Sequence, residues 1–155
     1  MAGLKDRLKA DRVAAMKARD TLARDTLGMA LTALQLEEVS GEVARELSDD
    51  EVLAVLTREV AKRRDSASAY AAGKRQELAD KELAEAALLQ AYLPAALTEA
   101  ELDVLVAEEV AAAAEALGAA PTLRNMGQVV KAVNARVKGR AEGAVVAAKV
   151  KAALG

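Results

Sequence analysis

The chain of 155 residues contains no cysteine, no histidine, no phenylalanine and no tryptophan. The first two absences exclude a disulfide framework, a thiol nucleophile, a zinc site with Cys or His ligands and a histidine general base. The other two leave Tyr70 and Tyr92 as the only aromatic side chains. The core must therefore come from Leu, Val, Met and Ala, few of which favour strands and which pack helix on helix at short separations. No apolar run approaches the ~20 residues of a membrane span. The opening Met1-Ala2-Gly3-Leu4-Lys5-Asp6-Arg7 has no apolar signal core. The expectation is a soluble, cytoplasmic, all-α protein of one ordinary domain or two small ones.

Hydrophobic residues make up 53 % of the chain, much of it alanine, and the net charge is −2. That small charge hides a strong segregation. Residues 1–24 carry seven Lys/Arg against three Asp, and residues 25–92 carry eight against fourteen acids. Residues 93–121 carry six acids and no base, and residues 122–155 carry seven bases and one acid, Glu142. Two basic ends thus flank an acidic middle. A basic segment can steer an anionic partner; alternatively, the helices keep solvated faces and neutralise one another.

Helix signals follow one another closely. Leu4, Leu8, Ala15 and Met16 suit one face of a first helix, roughly 3–20. Leu27, Leu31 and Leu34 predict a second, from about 21 to 44. Ser48-Asp49-Asp50-Glu51 is a capping box that starts a third helix, with Leu53, Leu56 and Val60 inward and an end before Gly73. Glu59 and Arg63, spaced i, i+4, are placed on its exposed face as a weak pair. A fourth helix covers about 75–92. Tyr92-Leu93-Pro94 is the candidate boundary, because proline disfavours helix at the preceding residue. A second capping box, Thr98-Glu99-Ala100-Glu101, opens a helix to about 117 that Gly118 can cap. Thr122 can cap a sixth helix ending at Gly139, and a last helix runs from about 142 to 154. The prediction is a four-helix N-terminal bundle (1–92), a linker (93–98) and a small three-helix C-terminal domain (99–155). At that size the second domain should be marginal by itself.

No catalytic constellation emerges. Adjacent acids such as Asp49-Asp50 or Glu108-Glu109 point about 100° apart on a helix and do not converge. Glu42 and Glu46 share a face but have no histidine to complete a carboxylate di-metal motif. Neither a P-loop nor a dinucleotide fingerprint is present. The expectation is no catalytic residues, no metal and no cofactor.

The last quarter differs. Gly127 breaks a regular helical pattern, which is tolerated most easily where a backbone of protein or ligand comes close, and a crossing helix is the structural expectation. Gly139 and Gly143 bracket a tight turn, one as a positive-φ cap and the other at the next helix start. Backbone amides beside Lys138 and Arg140 make a plausible phosphate site. Lys131 and Lys138 lie seven residues apart and share a face, while Lys149 and Lys151 add charge on the final helix. Without aromatic stacking residues, shape-dependent contact with a structured RNA backbone is favoured over reading of splayed bases.

At these residues the chain resembles the YqeY-like family, whose C-terminal part is similar to the tail of the B subunit of the tRNA-dependent Asp/Glu amidotransferase. The N-terminal matches are Leu47-Ser48-Asp49-Asp50-Glu51-Val52, Arg63-Arg64-Asp65-Ser66 leading to Tyr70, and Ala72-Gly73-Lys74-Arg75. The tail matches are Met126-Gly127-Gln128-Val129 and Lys138-Gly139-Arg140-Ala141-Glu142-Gly143. Departures fall at Gly28, where arginine is usual, and at Glu142, where aspartate is common. The resemblance implies an association with tRNA, and it implies carbon–nitrogen ligase activity with glutamine as amide donor only by similarity, since nothing here corresponds to the amidotransferase's catalytic body. The leading expectation is a non-catalytic tRNA-binding accessory protein. Phosphate contact falls to Lys131, Lys138, Arg140 and Lys149, with Gly127, Gly139 and Gly143 shaping the backbone and Arg63 and Arg64 either extending the surface or ion-paired. The alternative is a protein-interaction module whose basic tail docks on a synthetase or amidotransferase assembly.

Overall fold

A computed structural model describes residues 3–155. Among the described residues there are seven α-helices, one 3-10 helix and no strand. The chain divides into two compact units, Met1–Leu93 and Pro94–Gly155. The first holds four helices and the second three, so the all-α bundle with a small C-terminal domain is the observed architecture.

The N-terminal unit comprises α1 (Leu4–Lys17), α2 (Thr21–Glu38), α3 (Asp49–Ala72) and α4 (Gln76–Gln90). The Ser48 capping box forms in full. The Glu51 amide donates to Ser48 Oγ at 3.2 Å, and the Ser48 amide donates to Glu51 Oε2 at 2.8 Å. Asp49, the first residue of α3, also closes another helix. Its Oδ1 accepts from the Leu4 amide at 3.0 Å, at the start of α1, where the N-cap Gly3 has no side chain to do so. The start of α3 thereby fixes the start of α1.

Among the described residues, ten that are buried form the core of this unit, including Leu8 of α1, Leu27, Ala30 and Leu34 of α2, Val52, Leu56 and Val60 of α3, and Leu89 of α4. Each such Leu or Val contributes roughly 1.5–3 kcal/mol through burial. The inward face of α3 is built on Val52 and Val55 rather than Leu53, which is half-buried. Met16 and Met29 are exposed, so the core rests on Leu, Val and Ala. Helix α2 stops at Glu38 instead of near residue 44. Beyond Leu34 it has no side chain to bury, since Leu36, Val39 and Val43 all face solvent. The Ser40 hydroxyl closes the last turn on the Glu37 carbonyl at 2.8 Å, and Gly41 follows.

Arg63 is the main departure from expectation. It continues the Leu56–Val60 stripe toward Ala67 and is 6 % exposed, not on the outer face of α3. Its Nε donates to Glu85 Oε2 of α4 at 3.3 Å, and its Nη1 donates to the Glu59 carbonyl at 3.1 Å. The Glu59 carboxylate lies 3.5 Å from the same nitrogen. The pair expected to be weak and exposed is therefore part of a buried ion cluster linking α3 to α4.

The C-terminal unit comprises α5 (Glu99–Leu117), a 3-10 helix (Leu123–Asn125), α6 (Met126–Val137) and α7 (Gly143–Leu154). The Thr98–Glu101 capping box closes with bonds of 3.1 and 2.9 Å. Gly118 ends α5 in the left-handed conformation, φ 69°. Thr122 caps the 3-10 helix that leads into α6, instead of α6 directly. Leu102 and Val106 of α5, Val129, Val133 and Val137 of α6, and Val146 and Val150 of α7 form a separate core. Their i, i+4 spacing explains how β-branched residues build helices here: packing of one apolar stripe outweighs intrinsic propensity.

Candidate nucleic-acid interface

The turn between α6 and α7 is made by two successive left-handed residues. Lys138, the C-cap of α6, has φ 48° and ψ 51°, and Gly139 has φ 79°. Gly139 supplies the positive φ and Gly143 opens α7, as their spacing predicts. The lysine was not anticipated there. A non-glycine residue in this region carries roughly 1–2 kcal/mol of strain. Its departure from helical geometry also takes Lys138 off the register that a seven-residue spacing from Lys131 assumes. Glu142, the N-cap of α7, makes no side-chain cap, and nothing lies within 4 Å of where a Gly143 side chain would begin. The first amides of α7 thus receive no cap from the Glu142 side chain.

The structure separates the remaining cations by what they touch. The Arg140 carbonyl accepts from the Leu97 amide at 2.8 Å, and its Nε donates to the Ala95 carbonyl at 2.9 Å. Arg140 therefore pins the turn to the segment before α5. Lys149 Nζ contacts Asp103 Oδ1 of α5 at 2.7 Å, a hydrogen bond that raises the ammonium above its ordinary pKa. Arg136 reaches Glu108 at 2.7 Å and Glu109 at 3.2 Å, and these bonds raise its pKa as well. The two adjacent glutamates, expected to diverge, meet on one guanidinium of a neighbouring helix. The acidic segment 93–121 and the basic segment 122–155 thus partly neutralise each other within this unit, the second of the two readings their charges allowed.

Gly127 also differs from expectation. It is the second residue of α6, it is exposed, and no atom lies within 4 Å of its Cβ position. No helix crosses there. Gly127 and Lys131 are spaced i, i+4 and share an outer face of α6, with Lys131 exposed. Lys138 is exposed at the far end of the same helix. Arg64 is exposed on α3, where its Nη2 donates to Gln90 at 3.2 Å. Arg63, being buried, offers no surface contact.

No group of three or more acidic residues among the described ones is arranged to hold a metal ion. No described helix is long and apolar enough to cross a membrane. The arrangement in the tail sets the exposed Lys131 and Lys138 beside a turn of positive-φ residues.

Among curated proteins, no sequence matches this chain. Residues 5–154 match the family described as Yqey-like protein, a match that takes in both units and both tail motifs built above. On that near-complete coverage, the chain belongs to the Yqey-like protein family.

Proposed function

We propose that this protein is a non-catalytic accessory factor that binds tRNA through the outer face of α6 and the α6–α7 turn. The observation that carries the reading is Gly127. A helix glycine with empty space over it, on the face that bears Lys131, lets a sugar–phosphate backbone approach closer than any side chain would permit. Lys131 and Lys138 supply the charge. Gly139 and Gly143 shape the turn that leads into α7, whose first amides receive no cap from the Glu142 side chain. Arg140 and Lys149 serve mainly to hold this surface in place, through Ala95 and Asp103. The choice of tRNA rests on the similarity of the tail to that of the amidotransferase B subunit, and the amide-transfer reaction itself is not part of the proposal.

The test is binding of labelled tRNA by the full chain at two salt concentrations, with wild type and a Lys131→Glu/Lys138→Glu variant. Wild type should lose affinity steeply as salt rises, and the variant should bind weakly with a flatter slope. Equal binding by the two proteins, or no binding by wild type near physiological salt, removes the proposal. Arg140 is left unchanged because its loss would disturb the turn as well as the charge.

A further inference from the structure

A cleft of about 1140 Å³ runs over the outer side of α2 in the N-terminal unit. Its volume exceeds the ~300–1,000 Å³ of small-molecule sites. Its lining follows α2 from Arg24 to Glu38, about 21 Å at ~1.5 Å per residue. The shape suits an elongated segment. Its floor includes Met29, 44 % exposed, and Leu36, 64 % exposed. One wall is basic: Lys5, Lys9 and Arg12 line it from α1 at i, i+4 and i+7. Of these, Lys5 is matched by Glu38, while Lys9 and Arg12 form no ion pair among the described residues. Arg12 reaches across to α2, its Nε only 3.3 Å from where a Gly28 side chain would begin. The glycine at this position makes room for that guanidinium.

We propose that this cleft docks an amphipathic α-helix of a partner protein, with the partner's apolar stripe on Met29 and Leu36 and a carboxylate-bearing edge against Lys9 and Arg12. The length of the cleft matches about four helical turns. A flexible methionine beside an exposed leucine is a surface that accommodates an apolar helix face, and the α1 wall supplies the charge complement. Nucleic acid fits less well. The lining has no aromatic ring on which a base could stack, and on the opposite wall Glu59 and Glu85 are already neutralised by Arg63.

The probe is a labelled, helix-favouring synthetic peptide of about 14 residues with leucine at i, i+4 and i+7 and glutamate along one edge. It is titrated with the full chain beside a version carrying lysine in place of glutamate. The glutamate peptide should bind and the lysine peptide should bind far more weakly. Lys9→Glu/Arg12→Glu and Leu36→Lys should each weaken the glutamate peptide about tenfold or more. All these residues are exposed, so thermal melts should match wild type. Absence of binding, equal binding of both peptides, or indifference to the variants overturns the proposal. So does sedimentation showing a wild-type dimer that these variants abolish, which would make the occupant a second copy. Loss of tRNA binding in Lys9→Glu/Arg12→Glu would assign the wall to RNA and overturn it too. Loss of tRNA binding only in Lys131→Glu/Lys138→Glu would leave it standing.

Discussion

Arg63 Nε and Glu85 Oε2 lie 3.3 Å apart with both residues 6 % exposed, joining α3 to α4 inside the N-terminal bundle. Removing one charge of such a pair leaves the other buried without its partner, which costs about 3–5 kcal/mol, whereas replacing both with apolar groups is close to neutral. Arg63→Met should therefore lower stability by roughly 3–5 kcal/mol in urea denaturation, and Arg63→Met/Glu85→Leu should recover most of the loss. A single variant within ~1 kcal/mol of wild type would mean that the pair is solvated like a surface salt bridge.

Thr26 makes the opposite kind of prediction. It is fully buried on α2, and its Oγ1 finds no hydrogen-bond partner among the described residues. An unsatisfied buried hydroxyl costs about 1–3 kcal/mol, and valine has nearly the same shape. Thr26→Val should raise the urea midpoint by the equivalent of about 1 kcal/mol with an unchanged m value. A loss of stability would show that the hydroxyl is satisfied in solution.

These two residues mark how far the sequence can be read. Signals that lie within one turn were legible: the Ser48–Glu51 and Thr98–Glu101 boxes, the Gly118 cap, and the roles of Gly139 and Gly143. Arg63 was legible in principle, because it shares a stripe with Leu56 and Val60. The default of placing a charge on the surface hid it, and the compensating Glu85 lies on another helix. The same physics governs the tail. Its motifs and glycines stand out in the sequence, but Arg140 is held by a backbone carbonyl 45 residues away. Lys149 is likewise held by an acid on α5. Such long-range partners leave no periodic trace, so the sequence names the candidate cations without sorting the exposed from the engaged.

Tyr92 predicts a pH dependence. Its hydroxyl donates to the Asp11 carboxylate, and the Arg7 guanidinium lies 4.7 Å from its ring centre. Burial first, and then the bond and charge of Asp11, push the phenol from 10.0 up to about 12, against the lowering effect of Arg7. Below pH 10 the tyrosine is protonated in both the folded and unfolded chains, and its contribution to stability is complete. Above that the unfolded chain loses the proton first, so stability falls until the folded phenol ionises near about 12. The stability difference between wild type and Tyr92→Phe should therefore shrink or reverse across this window. Ultraviolet titration of the folded protein should show one tyrosinate step near about 12 that Tyr92→Phe removes. A flat difference would place the phenol in solvent.

Gly127 separates shape from charge in the proposed RNA surface. Its Cβ position is open, so Gly127→Ala should fold at least as well as wild type and gain up to ~1 kcal/mol from helix propensity. If a nucleic-acid backbone lies against this face, the added methyl group should weaken tRNA binding while leaving its salt dependence unchanged, because no cation has been lost. Lys131→Ala should do the reverse, lowering the salt slope by about one phosphate contact. The two effects are read in the same binding assay, with urea denaturation as the control for folding. A more stable Gly127→Ala protein with unaltered affinity would mean that no backbone approaches here, and the glycine would then be an ordinary, slightly unfavourable helix residue. The salt slope of Lys131→Ala would still report whether the charge on that face meets phosphate.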